Sequence, residues 1–186
     1  MDYICKVATR EELILRWEYL IKTNPGDTRL IGFRENALRN YDENSTISYL
    51  GFLKGEIICE ATAYIQESAF LGDIREPSGL LSDSMSYLAA FRTNPEHEGK
   101  GYFRRLYDFV EKDLRQRGYT ELSLGVGPEA IRNMEIYFHL GFREYIKTVI
   151  QYEPSGENPS VLGEDVILFY KKKIGISGPE GPSADA

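Results

Sequence analysis

The order of apolar patterns along the chain predicts a mixed α/β (α+β) layer fold, with helices packed on a mixed sheet in one domain. Three observations lead there. Segments of helical and strand periodicity alternate through the second half of the chain. The first half holds a β-hairpin signature, "TISYLGFL" and "EIICEATAYIQ", around the two-residue turn Lys54-Gly55. No linker, repeat or compositional break divides the 186 residues, a length suited to a single hydrophobic core.

Taken in order, "TREELILRWEYLIKTN" opens on Thr9, an N-cap with Glu12 three residues on, and Leu13, Trp17, Leu20 and Ile21 form one helical stripe. "NPGD" (24–27) stops that helix. "RENALRNYDE" (34–43) predicts a second, shorter one, and the hairpin follows. "REPSG" (75–79) marks a loop before the strand "SMSYLAAFRT" (84–93). From Tyr102 to Gln116, Phe103, Leu106, Val110 and Leu114 recur at helical spacing, and Gly118 ends that helix. "YTELSLGVG" (119–127) is a short strand. "PEAIRNMEIYFHLG" is a helix with Pro128 near its start and Gly141 at its end. "EYIKTVIQYE" and "DVILFYKKKI" are two last strands on either side of the turn-rich "PSGENPSVLGE". These elements define a domain over 1–176, and the tail 177–186 lacks periodicity and is expected to be disordered.

Composition narrows the function. A net charge of −7 argues against a non-specific nucleic-acid binder, which needs a basic face. Residues 1–90 carry 9 Lys+Arg against 14 Asp+Glu, which favours a cationic partner weakly and a solvated acidic surface more. Cys5 and Cys59 are the only cysteines and have neither disulfide-framework nor metal-ligand spacing. With no signal-peptide layout and no long apolar run, a cytoplasmic, membrane-free protein without a metal is expected.

The chemistry-bearing stretch is "NPEHEGKGYFRRLYDFVEKDL" (94–114), in which two glycines precede an amphipathic helix. A Walker A loop would need Ser or Thr after Lys100. A dinucleotide fingerprint would need glycine where Arg104 stands. Two readings remain. Gly99 and Gly101 either make a simple turn or free backbone N–H groups to hold an anion at the helix N-terminus, beside Lys100, Arg104 and Arg105.

"NPEHEGKGYFRRLYDFVEKDLRQRGYTELSLGV" followed by "NMEIYFHLGF" resembles the acetyl-CoA-binding core of the GNAT superfamily of N-acetyltransferases, closely over residues 84–143. The resemblance implies a mixed, mostly antiparallel central sheet flanked by helices on both faces. It implies acetyl-CoA as acyl donor and an amine-bearing small molecule or peptide as acceptor. Gly99, Lys100, Gly101, Tyr102, Phe103 and Arg104 would then hold the pyrophosphate. Phe91, Arg92 and Thr93, at the splayed end of their strand, would pair with the pantetheine arm, and Asn133 would contact it. Glu98 and Phe103 depart from the family's loop pattern, which has Gln or Arg and a small residue there. They leave open a second reading, a non-catalytic CoA-binding or interaction module.

The reaction implied is direct attack of a neutral amine on the thioester, so Cys5 and Cys59 need not act as nucleophiles. Tyr137, in "Y-x-x-x-G-F", matches the family's frequent general acid, and it also fits an apolar helix face with Ile131, Met134 and Phe138. For the base, Glu60 interrupts the apolar strand "IICEATAY", where it would face either the substrate or solvent, and Asp83 is the other candidate. His97 and His139 are expected to be exposed. Two open sheet edges leave a homodimer possible in principle.

Overall fold

A computed structural model describes residues 3–70, 77–154 and 162–175. The expected tail lies outside the described residues, as does most of the loop between the last two strands. The elements are β1 (Tyr3–Val7), α1 (Arg10–Thr23), α2 (Arg29–Asp42), β2 (Thr46–Leu53), β3 (Glu56–Tyr64), β4 (Met85–Thr93), α3 (Tyr102–Gln116), β5 (Glu121–Val126), α4 (Ile131–His139), β6 (Glu144–Pro154) and β7 (Leu162–Lys173). Single 3-10 turns at Glu67–Phe70 and Pro95–His97 precede and follow β4.

The strands form one sheet in the order β1-β2-β3-β4-β5-β7-β6. Every neighbouring pair is antiparallel except β4 and β5. Lys54 (φ 53°) and Gly55 (φ 88°) turn β2 into β3, the left-handed pair that a two-residue hairpin demands.

Strand alternation divides the core between two faces. Cys59, Ala61 and Ala63 of β3 and Leu122 and Leu124 of β5 pack against Leu106, Val110 and Leu114 of α3. On the same side, Tyr49 of β2 donates its hydroxyl to Asp113 at 2.7 Å. The opposite face carries Glu60 and Thr62. It is covered by α1 and α2, joined through Leu13, Trp17, Leu20 and Leu30. Helices therefore flank both faces, as expected.

The capping box on α1 is present, with Thr9 and Glu12 bonding each other's backbone N–H groups. The second helix begins at Arg29, five residues before the expected start, because buried Leu30 joins the cluster that docks it on α1. That packing overrides Gly32 within the helix. The fourth helix starts at Ile131, after a turn closed by the Ala130 N–H on the Gly127 carbonyl.

At the far edge, Gly51 of β2 makes room for Tyr3. The tyrosine hydroxyl lies where a Cβ on Gly51 would stand, and it donates to the Tyr102 carbonyl at 3.0 Å. Arg105 adds a bond to the Tyr3 carbonyl and lies over its ring. The first strand is thereby tied to the first turn of α3. Gly51→Ala is expected to expel the tyrosine ring and to cost about 1–3 kcal/mol in denaturant unfolding, as overpacked cores do.

Candidate active site

The parallel ladder between β4 and β5 runs only from Met85↔Glu121 to Leu88↔Leu124. Beyond it, β4 continues to Thr93 and β5 to Val126 without pairing to each other. The cause is a bulge in β4. Opposite Ala61 of β3 the register jumps from Thr62↔Ala89 to Glu60↔Arg92, and Ala90 adopts φ 54°. The outer edge of β5 is taken by β7 as far as Val126↔Leu168. The two strands thus splay apart, and a cleft of about 350 Å³ opens between them.

One wall of the cleft is the end of β4, where Phe91, Arg92 and Thr93 line it. The floor is the glycine loop and first turn of α3, contributing Gly99, Gly101, Tyr102, Phe103 and Arg104. Gly101 is the N-cap of α3 in the left-handed conformation (φ 80°), with no side-chain cap. A Cβ at Gly99 or Gly101 would meet nothing within 4 Å, so both glycines leave open space in front of the helix. The first N–H groups of a helix have no intrahelical acceptor and carry the positive end of its dipole, which suits this opening to an anion.

The other wall is α4, with Arg132, Asn133, Ile136 and Tyr137. Phe91 links the walls, its ring 5.3 Å from that of Phe103 and 5.8 Å from that of Tyr137. Burial pushes the Tyr137 phenol above the ordinary tyrosine value, so it carries its proton throughout the neutral range. Among the described residues its hydroxyl has no hydrogen-bond partner.

Lys100 stands apart from the cleft lining, its ammonium held 2.6 Å from the Glu96 carbonyl. Arg104 is paired with Asp108 one turn on, and Arg105 is turned to β1. His97, expected to be exposed, is instead half-buried in the cleft wall because the turn at Pro95–His97 folds it against Tyr102. His139 is exposed, as expected. Asp83 precedes the start of β4, at the opposite end of that strand from the cleft.

Sequence reasoning missed Arg132. It lies 3.5 Å from Glu98 across the cleft mouth and offsets the negative charge that sets this loop apart. Both thiols are free and burial pushes both upward, so neither is a ready thiolate.

Glu60 is neither on a solvated face nor loose in a cleft. Its carboxylate is buried under α1 and receives Arg16 Nε at 3.0 Å and Arg92 Nη1 at 2.6 Å. Arg16, 1% exposed, also donates to Asn94 at 2.7 Å. The sequence held a signal for this contact. Arg16 falls on the same helical stripe as Leu13 and Leu20, which is an apolar face, and Glu60 interrupts an apolar strand.

A sequence model described as the acetyltransferase (GNAT) family matches residues 11–142. None of the curated proteins matches the chain in sequence. Similar solved structures include the ribosomal-protein-S18-alanine N-acetyltransferase from Escherichia coli, at TM-score 0.65 and 14% identity, covering 96% of this chain and 98% of that one. Another is yncA from Salmonella typhimurium, solved with its cofactor acetyl-CoA, at TM-score 0.64 and 15% identity over 100% of both chains. A third is the ribosomal-protein-alanine N-acetyltransferase from Brucella melitensis, at TM-score 0.62 and 16% identity, covering 91% of this chain and 99% of that one.

The buried ion pair yields a stability prediction. Glu60→Leu alone leaves Arg16 buried and uncompensated and should cost about 3–5 kcal/mol in denaturant unfolding. Combining it with Arg16→Met should restore most of that loss, giving a large coupling in the double-mutant cycle.

Proposed function

The chain belongs to the acetyltransferase (GNAT) family, and on that footing we propose that it moves an acetyl group from acetyl-CoA to a primary amine by direct attack on the thioester. The observation that carries this reading is one cleft combining three features: the end of β4 where β5 no longer pairs with it, an uncapped helix N-terminus behind two left-handed glycines, and an uncommitted tyrosine hydroxyl. Each suits a different part of acetyl-CoA.

In this reading the backbone amides of Gly101, Tyr102, Phe103 and Arg104 hold the pyrophosphate, and Arg132 adds charge from the facing wall. Lys100 contributes through its loop backbone, since its side chain is engaged elsewhere. The end of β4 at Phe91, Arg92 and Thr93 takes the pantetheine arm as an added strand, giving its backbone groups partners. Asn133 contacts the arm from α4. Phe103, where the family has a small residue, packs on Phe91 and narrows the cleft.

The amine nitrogen bonds to the acetyl carbon, and the carbon–sulfur bond breaks with its electron pair on sulfur. Tyr137 then gives its proton to the leaving thiolate, and the proton that the nitrogen sheds on becoming an amide restores the phenol through water. For Glu60 we propose a positioning role in place of the base expected from the sequence, because both its oxygens already accept guanidinium hydrogen bonds. In this reading water takes the proton of the arriving ammonium. Two free thiols accord with a cytoplasmic enzyme.

Calorimetric titration with acetyl-CoA, desulfo-CoA and ATP tests the reading. Saturable binding of both CoA forms with little affinity for ATP is expected, and absence of CoA binding would sink it. Tyr137→Phe should lower kcat by tens-fold or more (~2 kcal/mol or more of lost transition-state stabilisation) with acetyl-CoA affinity nearly unchanged. In the same titration Glu98→Gln should tighten binding and Arg132→Gln weaken it, each by about 2–5-fold, the range of exposed charge pairs.

A further inference from the structure

A second cleft, of about 210 Å³, lies on the α1–α2 face of the sheet. The bulged end of β4 contributes to the walls of both clefts. Ala89 and Ala90 line the second cleft, Phe91 and Thr93 the first, and Arg92 lines both. An amine in the second cleft would approach a thioester held at β4 across this bulge.

The walls of the second cleft carry two kinds of group. Trp17, Phe33 and Tyr64 present aromatic surface, and Ser48 and Thr62 present hydroxyls. Its only charged lining residues among those described are Glu60 and Arg92. The Glu60 carboxylate has one oxygen on buried Arg16 and the other on Arg92, so this wall contains two positive charges and one negative. An incoming ammonium therefore meets an overcompensated carboxylate rather than an anionic site. Nearby Asp27, which also feels the charge of Arg92, is engaged by Arg29 at 2.8 Å.

Arg92 differs from Arg16 in being partly open, with a side chain 37% exposed. Its guanidinium lies over the Trp17 ring, 5.4 Å from the centroid, and Glu60 is its hydrogen-bond partner among the described residues. A guanidinium offers five N–H donors in a rigid fork, so most remain for a ligand. Trp17 and Glu60 fix the plane of that fork before any ligand arrives.

Resting on the acetyltransferase reading above, we infer that the acceptor is an amino-acid-sized compound with a carboxylate beside its amine, and that Arg92 binds that carboxylate. The acceptor's own negative charge offsets the excess positive charge of the wall, and its amine is left facing the β4 bulge. This inference departs from the cationic acceptors that the acidic first half of the chain weakly favours. Most of that acidity is on the surface, and the one carboxylate in the cleft is committed internally.

The test compares CoA release from acetyl-CoA with the proteinogenic L-amino acids, their amides, and spermidine as acceptors. The preferred amino acid should exceed its own amide by about tenfold or more in kcat/KM, the scale of a charge-assisted hydrogen bond, with spermidine poorest. Arg92→Gln, which keeps the backbone groups that β4 offers the pantetheine arm, should collapse that ratio to within about threefold, and Arg92→Lys should keep part of the preference. Taking the ratio within each variant removes any general loss of folded protein.

Amides or spermidine used as well as the amino acids would overturn the inference while leaving the acetyltransferase reading intact. So would an Arg92→Gln variant that loses acetyl-CoA affinity but keeps the acceptor ratio. If no amino acid is turned over, binding is read from line broadening of the amino-acid and amide NMR signals. No preference for the carboxylate form there overturns the inference too. Failure of the wild type to bind acetyl-CoA would overturn both readings together.

Discussion

Everything that could act in this molecule depends on the parting of β4 and β5. Parallel strands buried between helices ordinarily keep their ladder to the end, because backbone groups left without partners there are costly. Here the ladder stops at Leu88, and the following bulge turns Ala90 into the left-handed region. An alanine there costs on the order of 1–3 kcal/mol, which the surrounding sheet must offset. β3 does so by keeping β4 in register on its other side through Cys59↔Thr93. The gap sets α4 facing the end of β4 across the first turn of α3, and the same bulge brings Arg92 to the border of both clefts.

Charge is arranged to the same end. On the α3 side, Lys172 of β7 reaches Glu111 at 2.7 Å and the Leu140 carbonyl at 2.8 Å, satisfying the C-terminus of α4 and fixing that wall from below. On the α1 side, Arg16, Glu60 and Asn94 form a chain from helix to strand to the residue that leads into the glycine loop. The two networks approach from opposite faces of the sheet, and each ends on an element that lines the first cleft. The overall negative charge of the protein therefore says little about the local field inside it.

What could be read from the sequence was whatever depends on local physics. Lys54-Gly55 declared the hairpin, Gly99 and Gly101 declared a turn into a helix, which the structure makes left-handed at both, and the spacing from Phe103 to Leu114 declared the buried face of that helix. Most of the residues expected at the cofactor line one cleft, Lys100 being the exception. What could not be read depends on partners distant in the chain. Arg16 on the apolar stripe of α1 and Glu60 in an apolar strand each signal a buried charge, but nothing local pairs the two or brings Arg92 to the other carboxylate oxygen. The half-burial of His97 and the early start of α2 at Arg29 are likewise decided by packing, through Tyr102 and Leu30. Strand order belongs to the same class, since periodicity identifies strands without ranking neighbours.

That strand order has a consequence for how the molecule is made. β7, near the C-terminal end of the described chain, sits between β5 and β6. During synthesis, β5 emerges with its outer edge open, and β6 follows with no place beside it. The edge stays open until residues 162–173 leave the ribosome and insert. Through that interval an apolar strand, "ELSLGV", is exposed to other nascent chains, as unpaired edges are in any partly folded protein. Translation pauses or truncations that delay the last strand should therefore send the chain toward aggregates, even though the glycine loop and both cleft helices have already been synthesised.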